Sequence, residues 1–343
     1  MTVFEVSSAF FVLFVGLLFA APATFEESFR AGLIALQHDD LRGAEANLTA
    51  AAKLSPNNGR VWVALARTYW KLGDSGRAGD AAVKASTRAA QDSVVFQSLA
   101  IYYAESGQTL KAADTQAKYS ALKPLDRDAH DRAVSLYFEA AQPLLKREAF
   151  GDAIAILRAA KTSLGENAQI ELALGVAYYG LRRYDEAAAA FLSTIAVAPE
   201  IEQPYIFLGK MLDQIPDRLP EVTKRFVEFE AAHKESATGY LLHAKALDAQ
   251  PVEPGIARGL LEKAISINES EASAHFELGT LLASMRDFGA SAAEFERAAA
   301  LDPTDPATHY RLSRVYEKLG KHEAALTERE QHARLVKAQD SAR

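Results

Sequence analysis

The chain has no cysteine. That excludes disulfides, thiolate metal sites, a cysteine nucleophile and the acylated N-terminal cysteine of a bacterial lipoprotein. Helix breakers are scarce, with 12 prolines and 19 glycines in 343 residues, and they fall mostly where turns are needed. Concentrated positive charge is also missing: 38 Lys and Arg face 45 Asp and Glu, for a net charge of −7 without a basic stripe. Nucleic-acid binding by phosphate neutralisation is therefore not expected. The sequence holds no Walker A loop, no G-x-S-x-G, no H-E-x-x-H and no glycine-rich phosphate loop. No catalytic residue, metal site or cofactor is assigned from it. The composition is nonetheless that of a folded protein, 49% hydrophobic and 24% charged.

Only the N-terminus carries a long apolar run. Phe10 to Ala21 reads FFVLFVGLLFAA, a length that suits a signal peptide better than a bilayer span. Ala21-Pro22-Ala23 follows with the small-x-small pattern read by signal peptidase, so residues 1–23 are expected to be a signal removed after Ala23. Such a signal implies a periplasmic or secreted protein. The segment before the run has Glu5 and no Lys or Arg, which leaves an uncleaved N-terminal anchor as the alternative and the only membrane contact foreseen.

From Phe25 onward the sequence repeats itself. Small residues recur as Ala44, Ala78 and Ala112, each 34 apart, and Leu174-Gly175 returns as Leu208-Gly209, again 34 on. Prolines close units at Pro56, Pro124, Pro199 and Pro303. Nine units are expected, starting near Phe25, Gly59, Ser93, Arg127, Ala168, Glu202, Ala237, Ala272 and Pro306, with one spacing of 41 after Arg127 and the rest 34 or 35. A period of this length describes a helix pair that cannot bury its own apolar face and must stack on its neighbours.

Two stretches carry a family resemblance. Trp62-x-x-Leu65-Ala66-x-x-Tyr69…Ala78…Ala85 and Leu174-Gly175-x-x-Tyr178…Tyr184-x-x-Ala187…Phe191…Pro199 resemble the tetratricopeptide repeat (TPR) signature. The resemblance implies an all-α, right-handed superhelical solenoid of stacked antiparallel helix pairs over residues 24–339, followed by a short tail, 340–343. The fourth unit is seven residues longer around Gln142 to Glu148, and the sixth and seventh are degenerate, with Pro216, Pro220, Pro251 and Pro254 in their turns.

The same resemblance implies a protein-interaction scaffold, not an enzyme, that takes a protein or peptide partner along the concave face of its first helices. The residues in that phase are Val63, Arg67 and Trp70, then Gln97 and Ile101, Phe138, Val176 and Tyr179, Lys210, and Tyr310 with Arg314. Trp70, Phe138 and Tyr179 share one phase of three units, and either a groove row or core filling accounts for them. The Lys and Asn of the family's carboxylate clamp are missing at Val63, Arg67 and Ser98. The alternative is an accessory or substrate-binding arm of an envelope enzyme or export complex. His130, His275 and His309 share one phase but lack an i+4 partner for a metal, and they are expected to fill the slot of Trp62. Asp39-Asp40 and Asp185-Glu186 are expected to cap helices.

Overall fold

A computed structural model describes residues 24–248 and 254–341, so the expected signal segment, the turn around Pro251 and residues 342–343 lie outside the described residues. Among the described residues there are helices and no strands. The helices are α1 Phe25–Gln37, α2 Leu41–Leu54, α3 Gly59–Lys71, α4 Ser75–Arg88, α5 Ser93–Glu105, α6 Thr109–Leu122, α7 Arg127–Lys146, α8 Phe150–Leu164 and α9 Ala168–Gly180. They continue as α10 Tyr184–Val197, α11 Gln203–Lys210, α12 Leu219–Ala232, α13 Ala237–Asp248, α14 Pro254–Ile267, α15 Ala272–Ser284, α16 Phe288–Leu301, α17 Pro306–Lys318 and α18 His322–Ser341. No described helix is long and apolar enough to cross a membrane.

Local chemistry explains the boundaries. Thr24 and Glu27 form a capping box at the start of α1, and Asp40, Asn58, Asp74, Asp92, Asn167, Asp287 and Asp305 accept a backbone N–H at the helices that follow them. Asp185 and Glu186 do not cap. They lie within the first turn of α10, where Arg183 takes the cap position and pairs with Glu186. In seven of the pairs the turn uses a left-handed residue at equivalent places, at Gly73, Gly107 and Gly320, but also at Asp39, Glu148, Arg182 and Arg286. The last four adopt a conformation that glycine enters without strain.

The chain forms two compact units, residues 1–133 and 134–343, the boundary falling within α7. In the first unit α1 packs on α2, α3 on α4 and α5 on α6. Its core alternates small and large residues: Ala44, Ala51, Ala66, Ala78, Ala82 and Ala112 let the helices approach, while Leu48, Leu65, Leu99 and Tyr102 fill the space between them.

The second unit repeats the pairing in α9 with α10, α13 with α14, α15 with α16 and α17 with α18. One core gathers Phe191, Tyr205, Phe226 and Phe229 with Leu208, Met211, Ile215 and Leu242. The seven extra residues of the fourth repeat go into α7, which runs for 20 residues and carries Pro143 in its last turns. The sixth repeat is irregular in backbone yet filled in its core. There α11 stops after eight residues, and the chain passes through two 3-10 turns, Leu212–Gln214 and Pro216–Arg218, before α12. Pro216 and Pro220 lack the N–H a continuing helix would need. Met211, Ile215 and Phe226 are fully buried there in place of the missing alanine.

Candidate functional site

In the first unit, α1, α3 and α5 leave an apolar hollow of about 270 Å³ between Phe29, Leu33 and Leu36 of α1, Val63 and Ala64 of α3, and Val94 and Val95 of α5. Helical spacing places Phe29, Leu33 and Leu36 on one face of α1. Val63 is 3% exposed and forms the floor, whereas Leu33 and Val94 are 42% and 46% exposed at the rim.

Arg60 and Arg67 border the hollow, both already paired. Arg60 Nε donates to Asp92 at 2.7 Å, and Arg67 Nη2 reaches Glu105 at 3.3 Å. The hydrogen bond from Arg60 holds the Asp92 carboxyl below the usual carboxylate range against partial desolvation, with the N–H groups of Val94 and Val95 helping. The same carboxylate caps α5, which ties the second repeat to the start of the third. The hollow is thus apolar inside and charge-neutral at its edge.

A second hollow, about 590 Å³, lies in the residue 134–343 unit along α9, α11, α13, α15 and α17. It is of the opposite character. Lys210, Lys245 and Arg311 alternate with Asp213, Asp248 and Glu277 around Tyr179 and Phe276, and Lys245 pairs with Glu277 at 2.5 Å. Tyr179 is half-buried, its ring edge-on to Phe207 at 5.2 Å and to Tyr184 at 5.9 Å.

The residues expected from sequence are distributed unevenly. Val63 and Arg67 meet in the first hollow, and Tyr179 and Lys210 in the second. Trp70 and Phe138 are half-buried and border neither; they belong to different units. Gln97 and Ile101 are exposed on α5, and Val176 packs on the Phe191 core. Tyr310, 46% exposed, lies 5.5 Å from the His332 ring, and Arg314 is exposed. Sequence reasoning missed Phe29, Leu33, Leu36, Lys245 and Arg311. The α1 residues carried a signal, a 29-33-36 apolar stripe, that reads equally well as core.

His275 and His309 fill the slot that Trp62 fills. The Trp62 indole N–H donates to Pro56 O at 2.8 Å, and the Nε2 atoms of the two histidines meet Glu269 O and Pro303 O, each at 3.2 Å. Their Nδ1 atoms face Glu294 and Glu328 at 2.7 and 2.6 Å. Among the described residues no group of three His, Cys, Asp or Glu side chains gathers as a metal site would require.

Family models agree with this helix-pair architecture. Family models described as tetratricopeptide repeat match residues 35–102 and, in overlapping copies, 253–306 and 276–334. No curated protein matches the chain. Among solved structures, yeast Tom70 is 16% identical, the match covering 91% of this chain and 85% of that one at a TM-score of 0.46. PilW, a widely conserved type IV pilus biogenesis factor, is 17% identical over 57% of this chain and 90% of its own, with a TM-score of 0.49. TTC0263, a thermophilic TPR protein of Thermus thermophilus, is 20% identical over 50% of this chain and 99% of its own, with a TM-score of 0.42. With its stacked helix pairs, its in-phase small and large core residues and the repeat models matched at both ends, the chain is a tetratricopeptide-repeat protein.

Proposed function

We propose that the protein is an exported, non-enzymatic adaptor that holds a partner peptide or helix against the first helices of its repeats. The observation that carries the reading is the apolar hollow between α1, α3 and α5. Its rim presents Leu33 and Val94 to solvent although the arginines beside them are already neutralised. Exposed apolar side chains around a preformed depression favour an apolar anchor, and two or three such anchors one helical turn apart would come from one face of an amphipathic helix. Affinity would come from burial of the anchor and not from the arginines, whose charges are spent on Asp92 and Glu105.

Leu33→Glu places an unpaired carboxylate on the rim, while Ser98→Trp fills the hollow. Both sites lie outside the fully buried core, so the melting temperature should change little. A site-specific photocrosslinker at Ser98 should trap one protein species in an envelope extract, and Leu33→Glu should weaken recovery of that species about tenfold or more. Equal recovery with the variant would sink the assignment of this hollow.

Export rests on the sequence of residues 1–23. Mass spectrometry of protein from whole cells is expected to find a mature chain beginning at Thr24. Intact Met1 in a soluble cytosolic pool would overturn it.

A further inference from the structure

The fourth position of the repeat is a ring in seven units: Trp62, Phe96, His130, Tyr205, Tyr240, His275 and His309, spaced 34, 34, 75, 35, 35 and 34 apart. The fifth repeat breaks the series with Glu171. In four of the ring-bearing repeats the side chain also donates to the carbonyl six residues earlier, from Trp62 to Pro56, Tyr205 to Pro199, His275 to Glu269 and His309 to Pro303. A carboxylate accepts and cannot make this bond. The side chains facing Glu171 are small as well: Ala190 and Ser193 stand on α10, and Ala190 occupies the place held by Glu294 and Glu328 beside the histidines. A hollow of about 560 Å³ lies between α8, α9 and α10.

Glu171 is 1% exposed, which is costly for a carboxylate unless it is paired and hydrogen-bonded. Lys161 Nζ lies 2.6 Å from its Oε1 but off the direction of a hydrogen bond, so that buried oxygen has an ionic neighbour and no hydrogen-bond donor. On the same hollow Arg183 is taken up by Glu186 at 2.5 Å, while Arg158 makes no side-chain ion pair among the described residues. A lone cation entering here would meet Lys161 and Arg158, and a lone anion would meet Glu171. A group of both signs meets neither repulsion.

We infer that this hollow binds a small zwitterion, an ammonium and a carboxylate on neighbouring atoms, which is the chemistry of a free amino acid. The ammonium is drawn to the Glu171 carboxylate at the floor of the hollow, which it reaches as the half-exposed Lys161 side chain turns outward to the ligand's carboxylate. The carboxylate bridges Lys161 and Arg158, so each charge of the ligand faces protein charge of the opposite sign, and Leu174 with Ala190 offers an apolar wall to its side chain.

The test is calorimetric titration of the full-length protein with each standard L-amino acid, with acetate and methylamine as single-charge probes. At least one amino acid should bind saturably, and acetate and methylamine should each bind about tenfold or more weakly than it does. Arg158→Ala, on the exposed side of α8, and Glu171→Gln should each weaken that binding about tenfold or more. Absence of binding by every amino acid, acetate binding as tight as the best amino acid, or unchanged binding in Arg158→Ala would each overturn the proposal. Because Arg158 is surface-exposed, that variant decides the matter even if Glu171→Gln fails to fold.

Discussion

Phe191→Ala is expected to cost the residue 134–343 unit about 3–5 kcal/mol, as truncation of a fully buried aromatic does. The ring is 0% exposed and stacks on Phe207 at 5.0 Å with planes 10° apart. It also defines how closely α9 and α10 approach, because a Cβ placed on Gly175 would come within 2.5 Å of its Cε1. Gly175→Ala in the natural chain should therefore be destabilising by about 1–3 kcal/mol, the overpacking cost exceeding the ~1 kcal/mol that alanine gains in a helix interior. With Phe191 already truncated the clash is gone, and the same glycine replacement should become neutral or favourable. Urea unfolding of the two single variants and the double variant measures this coupling. An identical cost for Gly175→Ala in both backgrounds would show that ring and glycine are not fitted to each other.

That pair shows why the fold was legible. Leu-Gly followed by a ring two turns into the next helix is a packing solution written in adjacent sequence, and it recurs in phase as Gly279 against Phe295. The helix ends were partly legible. Asp and Asn caps announce several starts, but the left-handed turn residue is glycine in only three of the seven pairs that use it, so Arg182 and Arg286 gave no sign. The seven added residues of the fourth repeat lengthen a single helix through Pro143, a residue that by itself argues for a break. In the sixth repeat the missing alanine reads as a defect. Its replacement by Met211, Ile215 and Phe226 could be seen only once the 3-10 turns had brought them together.

The hollows were less legible because each is assembled from several repeats. Phe29, Val63 and Val94 lie on three different helices, and nothing in the local pattern of any one separates a floor residue from a core residue. Of the residues read from helical phase, Val63 and Arg67 line one hollow and Tyr179 and Lys210 the other. Gln97, Ile101 and Arg314, read from the same phase, are exposed and border neither hollow. Glu171 was not read from the sequence: the slot shared by Trp62, His130, His275 and His309 was recognised, but not its carboxylate occupant in the fifth repeat.

Tyr179 tests groove and core together, because it belongs to both. Its ring contacts Phe207 and Tyr184 while lining the hollow with Lys210 and Arg311. Tyr179→Ala is expected to lower stability by about 1–3 kcal/mol, less than a fully buried ring because part of its surface already faces solvent. Any partner seated in that hollow should also be bound more weakly, by about 1–2 kcal/mol. Tyr179→Phe keeps the edge-on contacts and removes only the hydroxyl, so stability should be retained. Binding would then fall only if the hydroxyl itself contacts the partner. Trp70→Ala and Phe138→Ala, half-buried but outside both hollows, should cost stability and leave binding at this hollow unchanged. Thermal melts and partner titrations of these four variants separate the two contributions. If Tyr179→Ala melts with the natural chain, the packing of Tyr179 on Phe207 and Tyr184 contributes nothing to the fold, and its place in the hollow alone accounts for any loss of binding.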